Sequence, residues 1–183
     1  MPSASSSLAF MGVLVALYAL YVEHRKGEDS SYEALCDISE TASCSRVLMS
    51  AYGHILSKWG LVATGSALDL PNPVLGLAFY GMVLLRGALR LPRLAVLGAS
   101  AASLAFSLYL AYILATVLKD LCIVCVSSYV VNLLIFIVEA RGALKEAAVG
   151  AKSARGAAAG GGGAPASASA AARSARKGAK RAD

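Results

Sequence analysis

Leu94-Ala-Val-Leu-Gly-Ala-Ser-Ala-Ala-Ser-Leu-Ala-Phe-Ser-Leu-Tyr-Leu-Ala-Tyr-Ile-Leu-Ala-Thr-Val-Leu118 contains no charged side chain. About 20 predominantly apolar residues let a helix cross a bilayer, so this run is a complete span by itself. Just beyond Lys119-Asp120 a second run extends from Leu121 to Val138. On the N-terminal side lie two weaker stretches, Leu8 to Val22 and Pro73 to Leu85, the latter with a fainter extension to Leu91. At 183 residues, 57% hydrophobic and with a mean hydropathy of +0.64, the chain can form one compact domain but is too apolar for an ordinary soluble one. The sequence predicts an all-α membrane protein, a four-transmembrane-helix bundle with spans at about 8–25, 73–91, 94–118 and 121–140. Residues 1–149 would be the membrane domain and 26–72 its one long loop, leaving 150–183 as a tail.

No basic residue precedes the first run, and no small-x-small pattern follows it before Glu23-His-Arg-Lys26, which predicts an uncleaved span rather than a signal peptide. Charge orients the bundle. The segment 23–72 carries Arg25, Lys26, Arg46 and Lys58 against seven acidic residues, whereas the next connection holds Arg86, Arg90 and Arg93 with no acid. Beyond Val138 come nine Lys or Arg against Glu139, Glu146 and Asp183. Positive residues collect on the cytoplasmic side, so both termini are expected in the cytosol and the long loop on the opposite, lumenal side. Arg25 and Lys26 argue the other way and are outnumbered.

Within the loop, Arg46 to Leu68 mixes apolar and polar residues and predicts an amphipathic interfacial helix held by Trp59. Leu70-Pro-Asn-Pro73 should end any helix and turn the chain into the second span. From Gly150 onward the Ala, Gly, Ser, Lys and Arg composition, with Gly160 to Gly163 in a row, predicts a disordered basic tail. There are no internal repeats and no phosphate-binding glycine loop, and no nucleic-acid partner is expected.

All four cysteines fall in two pairs, Cys36 with Cys44 and Cys122 with Cys125. On a helix Cys122 and Cys125 share a face within reach of a disulfide. At the start of the fourth span they also meet the helix N-terminal N–H groups that favour a thiolate. Cys36 and Cys44 would be about 12 Å apart on a continuous helix, beyond the roughly 7 Å limit for a disulfide; if they pair, the backbone between them bends. A mobile loop pair could pass disulfides between a soluble thiol and the membrane pair. Two other readings stand beside this one. A zinc site of all four cysteines fits the spacing at Cys122 and not the one after Cys36. A purely structural disulfide suits Cys36 and Cys44 better than Cys122 and Cys125, whose short loop has little entropy to lose. From Cys125 the helical stripe continues through Tyr129 and Asn132. Tyr129 can orient a polar ligand, and Asn132 is read as an interhelical hydrogen bond.

Tyr32-Glu-Ala-Leu-Cys36-Asp, Ser43-Cys44-Ser-Arg-Val47, Asn72 shortly before Gly76-Leu-Ala-Phe79-Tyr80, and Asp120-Leu-Cys122-Ile-Val-Cys125-Val-Ser-Ser-Tyr129 together resemble the vitamin K epoxide reductases, especially the animal-type enzymes, from about Leu14 to Ile137. The resemblance implies a four-helix bundle around a quinone pocket, capped by the lumenal loop and its half-helix. It implies reduction of vitamin K epoxide to the quinone, and of the quinone to the hydroquinone, with external thiols as reductant and no tightly bound cofactor or metal. Cys125 resembles the thiol that attacks the substrate and Cys122 its resolving partner. Cys44 resembles the loop cysteine that exchanges with Cys122, and Cys36 the one that meets the reductant. Asn72 and Tyr129 match positions that hydrogen-bond the ring oxygens, Phe79 and Tyr80 the apolar wall, a set that takes warfarin-type anticoagulants in animal members. Leu48 stands where the animal enzymes carry an aromatic. Pro73, and a tail ending Lys180-Arg-Ala-Asp183 in place of a basic retention signal, also depart from them. The implied setting is the endoplasmic reticulum membrane, with membrane lipid, a lipid-soluble quinone and a separate thioredoxin-like oxidoreductase as partners. Competing functions are a quinone-coupled catalyst that forms disulfides in other proteins, and a non-catalytic scaffold.

Overall fold

The computed structural model describes residues 4–160, which contain helices and no β-strand beyond an isolated bridge between Ser39 and Ala42. In chain order the helices are α1 (Ala4–Glu28), α2 (Cys44–Leu48), α3 (Ile55–Lys58), α4 (Asn72–Leu85), α5 (Arg93–Ile113) and α6 (Ile123–Gly160). Two compact units divide the chain, Met1–Ala143 and Leu144–Asp183. In the second, the described residues continue α6 to Gly160.

Local sequence explains most of the boundaries. Pro71 is extended (φ −60°, ψ 148°) and Pro73 sits in the first turn of α4, where its missing N–H has no intrahelical partner to lose. Pro92 likewise precedes α5. The end of α5 widens into a π-helical turn, Leu114–Leu118, closed by Lys119 in the left-handed region (φ 51°).

Three helical stretches are long and apolar enough to cross a membrane, Ala4–Glu28, Arg93–Leu118 and Ile123–Gly156; α4 is a shorter apolar helix of 14 residues. The chain is a membrane protein. Phe10, Met11, Leu14, Leu17 and Tyr21 on α1, and Leu108 and Tyr112 on α5, are exposed, an arrangement suited to lipid rather than to water. The buried stripe of α1 is made of small residues, Ser5, Ala9, Gly12, Ala16 and Ala19, which let α4 approach closely. At Gly12 the approach is tightest: a Cβ there would lie 2.5 Å from the Tyr80 ring.

Hydrogen bonds and ion pairs fix the direction of each helix. At one end Leu121 N–H donates to the Thr41 carbonyl (2.9 Å) and Asn72 N–H to that of Gly53 (2.8 Å), joining the starts of α6 and α4 to the loop that follows α1. At the other end Arg86 (2.8 Å) and Arg93 (3.6 Å) meet Glu139 of α6, which is 1% exposed. Helices α1, α4, α5 and α6 therefore alternate in direction, with a cluster of buried side chains toward each end. The cluster at the loop end contains Cys36, Cys44 and Cys122, with Cys125 against it.

Three expectations need correction. Helix α4 ends at Leu85, not Leu91: Leu91 precedes Pro92 and Arg90 takes a positive φ of 51°, so residues 86–91 turn. The single amphipathic helix expected within Arg46 to Leu68 is two short helices, interrupted at Gly53, whose absent side chain lets the Leu48 carbonyl approach, and followed by Gly60 and Gly65 at φ 72° and 74°. Residues 150–160, assigned by sequence to a disordered tail, are helical, because alanine has the highest helix propensity and Lys152 and Arg155 cost little. The remainder of that tail lies outside the described residues.

Candidate functional site

Cys122 is the residue immediately before α6. Its Sγ accepts the Cys125 backbone N–H (3.3 Å), so the sulfur caps the helix as an oxygen side chain usually does, and its carbonyl takes the Val126 N–H (3.0 Å). A donor aimed at sulfur and the N-terminal end of the helix dipole both favour negative charge there. Cys122 and Cys125 are both free thiols; Cys122 is fully buried and Cys125 half-buried.

Cys36 and Cys44 form a disulfide with a Cα separation of 5.7 Å. The required bend is a tight reversal in which Ile38 N–H and Ala42 N–H close a ring through the Ala42 and Ser39 carbonyls (2.9 and 3.1 Å). Asp37 organises it by accepting from Ala34 N–H (2.8 Å), Ser43 Oγ–H (2.9 Å) and Ser45 N–H (3.0 Å). Burial alone would push the Asp37 carboxyl up, but these donors outweigh it and hold it down at about 2. A depressed carboxylate contributes its stability above the unfolded value near 4, and loses it as pH falls through the folded one. Reduction of the disulfide by a phosphine, which acts in acid, should therefore run at a pH-independent protein-limited rate above about pH 4 and accelerate toward pH 2. Asp37→Asn should reduce several-fold faster at neutral pH, since two backbone N–H groups would lose a charged acceptor.

Asp120, just before α6, docks the disulfide loop against the start of that helix. Its Oδ1 accepts Ser43 N–H (3.1 Å) and its Oδ2 pairs with Arg46 Nε, while Arg46 also donates to the Glu40 carbonyl. Cys44, the first residue of α2, and Cys122 both pack in the loop-end cluster and are fully buried.

Below them lies a cavity of about 620 Å³ bounded by α1, α4, α5, α6 and the two loop helices. Cys125, Tyr129 and Ser128 of α6 line it, as do Phe79 and Tyr80 of α4; Cys122 does not. Asn72 stands at its rim with its amide already engaged: Oδ1 accepts Ile55 N–H (3.2 Å) and Nδ2 donates to the Tyr52 carbonyl (2.6 Å), leaving one N–H. Tyr80 is 2% exposed and as much a helix-packing residue as a wall. Among the described residues no group of His, Cys, Asp and Glu has the arrangement of a metal site, and with one cysteine pair bridged a four-cysteine zinc site is not formed.

Residues 4–140 match the profile of the Vitamin K epoxide reductase family. The chain belongs to this family. It is 39% identical over 132 residues to the mouse and to the rat protein named vitamin K epoxide reductase complex subunit 1, the alignment covering 69% of this chain and 80% of each relative. As a member of the vitamin K epoxide reductase family it is an enzyme, an oxidoreductase, and a non-catalytic scaffold is excluded.

Other residues of this family member at the cavity or beside it had weaker signals in the sequence. Trp59, expected as an interfacial residue, lines the cavity and packs edge-on against Phe106 (centroids 6.2 Å) and tilted against Tyr109 (5.5 Å) of α5. Asn132, read as a purely interhelical contact, lines it too. His54 joins Glu23 of α1 (3.0 Å) to Asp69 (3.3 Å), fastening the loop at both sides. Separations of 31 and 15 residues gave no local pattern by which to find that cluster.

Proposed function

We propose that this protein reduces vitamin K 2,3-epoxide to the quinone, and the quinone to the hydroquinone, at Cys125. The observation that carries the proposal is the placement of two free thiols around one helix start, with only Cys125 reaching an apolar cavity large enough for a bicyclic quinone. Attack of the Cys125 thiolate on the epoxide forms a C–S bond and opens the ring to an alkoxide, which takes a proton. Cys122 then attacks the Cys125 sulfur; the S–S bond forms, the C–S electron pair returns to the ring, and hydroxide leaves as water. One epoxide and two thiols yield one quinone, one water and one disulfide. A second pair of electrons reduces the quinone. The remaining Asn72 N–H and the Tyr129 hydroxyl would stabilise negative charge developing on the ring oxygens, and Phe79 and Tyr80 would hold its apolar face. External thiols are the reductant, and no bound cofactor is required.

Recharging would run through the loop. A thioredoxin-like dithiol attacks Cys36, freeing Cys44, and its second thiol then displaces Cys36, leaving the partner as a disulfide and both loop thiols free; Cys44 attacks Cys122 in the Cys122–Cys125 disulfide, releasing Cys125, and Cys36 attacks Cys44 to release Cys122 and restore the loop bridge. The oxidation pattern present, loop pair bridged and helix pair free, is the state this sequence of exchanges reaches after electrons have passed inward. Asp120 is a positioning residue in this scheme. Asp120→Ala should slow turnover driven by a protein dithiol about tenfold, the worth of a charge-assisted hydrogen bond or two. Dithiothreitol-driven turnover, which can bypass the loop, should stay within about twofold; equal losses with both reductants would remove Asp120 from the relay.

In the membrane, α4 rises about 21 Å against a hydrocarbon core of about 30 Å, so residues 86–91 and the rim at Pro71 would complete the fourth crossing. On this reading the long loop lies in the lumen of the endoplasmic reticulum and both termini in the cytosol, a topology that the alternating helices support. Residues 1–149 act as the membrane domain. Because Arg86 and Arg93 pair with Glu139, the positive-inside bias rests on Arg90 and the basic residues after Val138. The deciding experiment is dithiothreitol-driven conversion of vitamin K epoxide by membranes carrying the protein, with quinone and hydroquinone measured separately. Protein that reduces quinones and leaves the epoxide untouched would overturn the assignment in favour of a quinone-coupled thiol oxidase.

A further inference from the structure

Asn132 lies on α6 three residues beyond Tyr129, about 4.5 Å further along the helix, and is more than nine-tenths buried in the cavity wall. Helix α5 fixes which way its amide points. Ser107 Oγ gives its single proton to the Ser103 carbonyl (2.9 Å), so its oxygen can only accept, and Asn132 Nδ2 donates to it (2.8 Å). The opposite amide orientation would set two acceptors face to face. Asn132 Oδ1 is left without a hydrogen-bond partner. Two other buried side-chain oxygens among the described residues share that condition, Glu23 Oε2 and Asp69 Oδ1; both lie beside His54 and neither residue lines the cavity.

An unpaired acceptor in an apolar wall asks for a ligand that donates. The Asn72 and Tyr129 groups assigned to the ring oxygens are donors, which suit an oxidised quinone because its oxygens only accept. Asn72 Oδ1 is already taken by Ile55 N–H. Once two electrons and two protons have reached the ring, both oxygens become hydroxyls. The Tyr129 oxygen can accept one of them, and the next acceptor along the same helix is Asn132.

We propose that Asn132, its amide held by Ser107, is an acceptor subsite for the hydroxyl-bearing reduced ring, a hydroquinone. The site would discriminate reduced from oxidised ligand by hydrogen-bond polarity. The inference rests on the reading of the cavity as a quinone site and concerns binding, not turnover.

Its test is equilibrium binding to the full-length protein in lipid nanodiscs, under anaerobic conditions and in a Cys125→Ser background that prevents the proposed transfer of electrons. The probes are 2,3-dimethylnaphthalene-1,4-diol, its dimethyl ether and the corresponding quinone. Asn132→Leu should weaken the diol about three- to tenfold, one hydrogen bond in a membrane interior, and leave the ether and quinone within about twofold. Ser107→Ala, which frees the amide to turn its N–H groups inward, should weaken the diol and strengthen the quinone, and it guards against misfolding of the first variant. Equal weakening of all three probes in Asn132→Leu, or an unchanged diol, would overturn the subsite. Failure of all three to bind the parent protein, with its thermal stability intact, would overturn the quinone reading on which it rests.

Discussion

Replacing Cys125 by serine should abolish epoxide reduction with every reductant, a loss of about a thousandfold or more. A serine hydroxyl is a far weaker nucleophile than a thiol, and the native thiol sits in the first turn of α6 with the Cys122 sulfur immediately before the helix. Cys122→Ser should also stop turnover, but for a different reason: attack could proceed and the mixed adduct would not be resolved. The loop pair behaves differently again. Cys36→Ser and Cys44→Ser should lose turnover driven by a protein dithiol and retain most of that driven by dithiothreitol, because a small thiol can reach the Cys122–Cys125 disulfide directly. Parallel assays of the four variants with both reductants separate these roles. Undiminished epoxide turnover by Cys125→Ser would sink the mechanism.

Glu139→Leu should lower the midpoint of thermal inactivation in detergent by about 4–8 °C, from a loss of about 2 kcal/mol. Glu139 is 1% exposed and bridges Arg86 at 2.8 Å and Arg93 at 3.6 Å. Removing one member of a buried ion cluster leaves the others uncompensated, at a cost of about 3–5 kcal/mol where burial is complete. Here the arginine side chains are 24% and 26% exposed, and water can partly solvate them, which reduces the figure. The double variant Arg86→Leu with Glu139→Leu should regain part of the loss, since one unpaired cation is removed and apolar surface gained. An unchanged midpoint in the single variant would mean that the cluster contributes nothing to stability. Helix α6 is thus held at two points: Cys122 and Leu121 tie its start to the loop, and Glu139, midway along it, ties it to the turn between α4 and α5.

Much of this arrangement was legible in the chain because lipid enforces simple rules. Backbone groups in a bilayer must be satisfied within the helix, so the run from Leu94 to Leu118 had one conformation open to it, and Leu70-Pro-Asn-Pro73 marked the turn into α4. The spacing of Cys122 and Cys125 carried its chemistry for a similar reason: three residues on a helix is a fixed distance. Asn72 was read from the sequence as a candidate substrate contact, and only the structure showed that it ties the Tyr52 carbonyl and Ile55 N–H to the start of α4. Trp59 and Asn132 were read by the commonest use of their residue types at such positions.

The sequence by itself determined the long apolar helices, the membrane solvent, the grouping of the cysteines in two pairs and the family, all of them consequences of composition, short-range spacing or local motifs. Tertiary structure alone decided that Cys36 and Cys44 are bridged, that Asp120 docks their loop beside Cys122, that Glu139 gathers two arginines, and that Asn132 faces the cavity with its oxygen unpaired. The division has one physical cause. A helix span and a three-residue spacing are set by neighbours along the chain. Pairings between residues 74, 53 or 25 positions apart depend instead on how α1, α4, α5 and α6 pack, and no local periodicity encodes that.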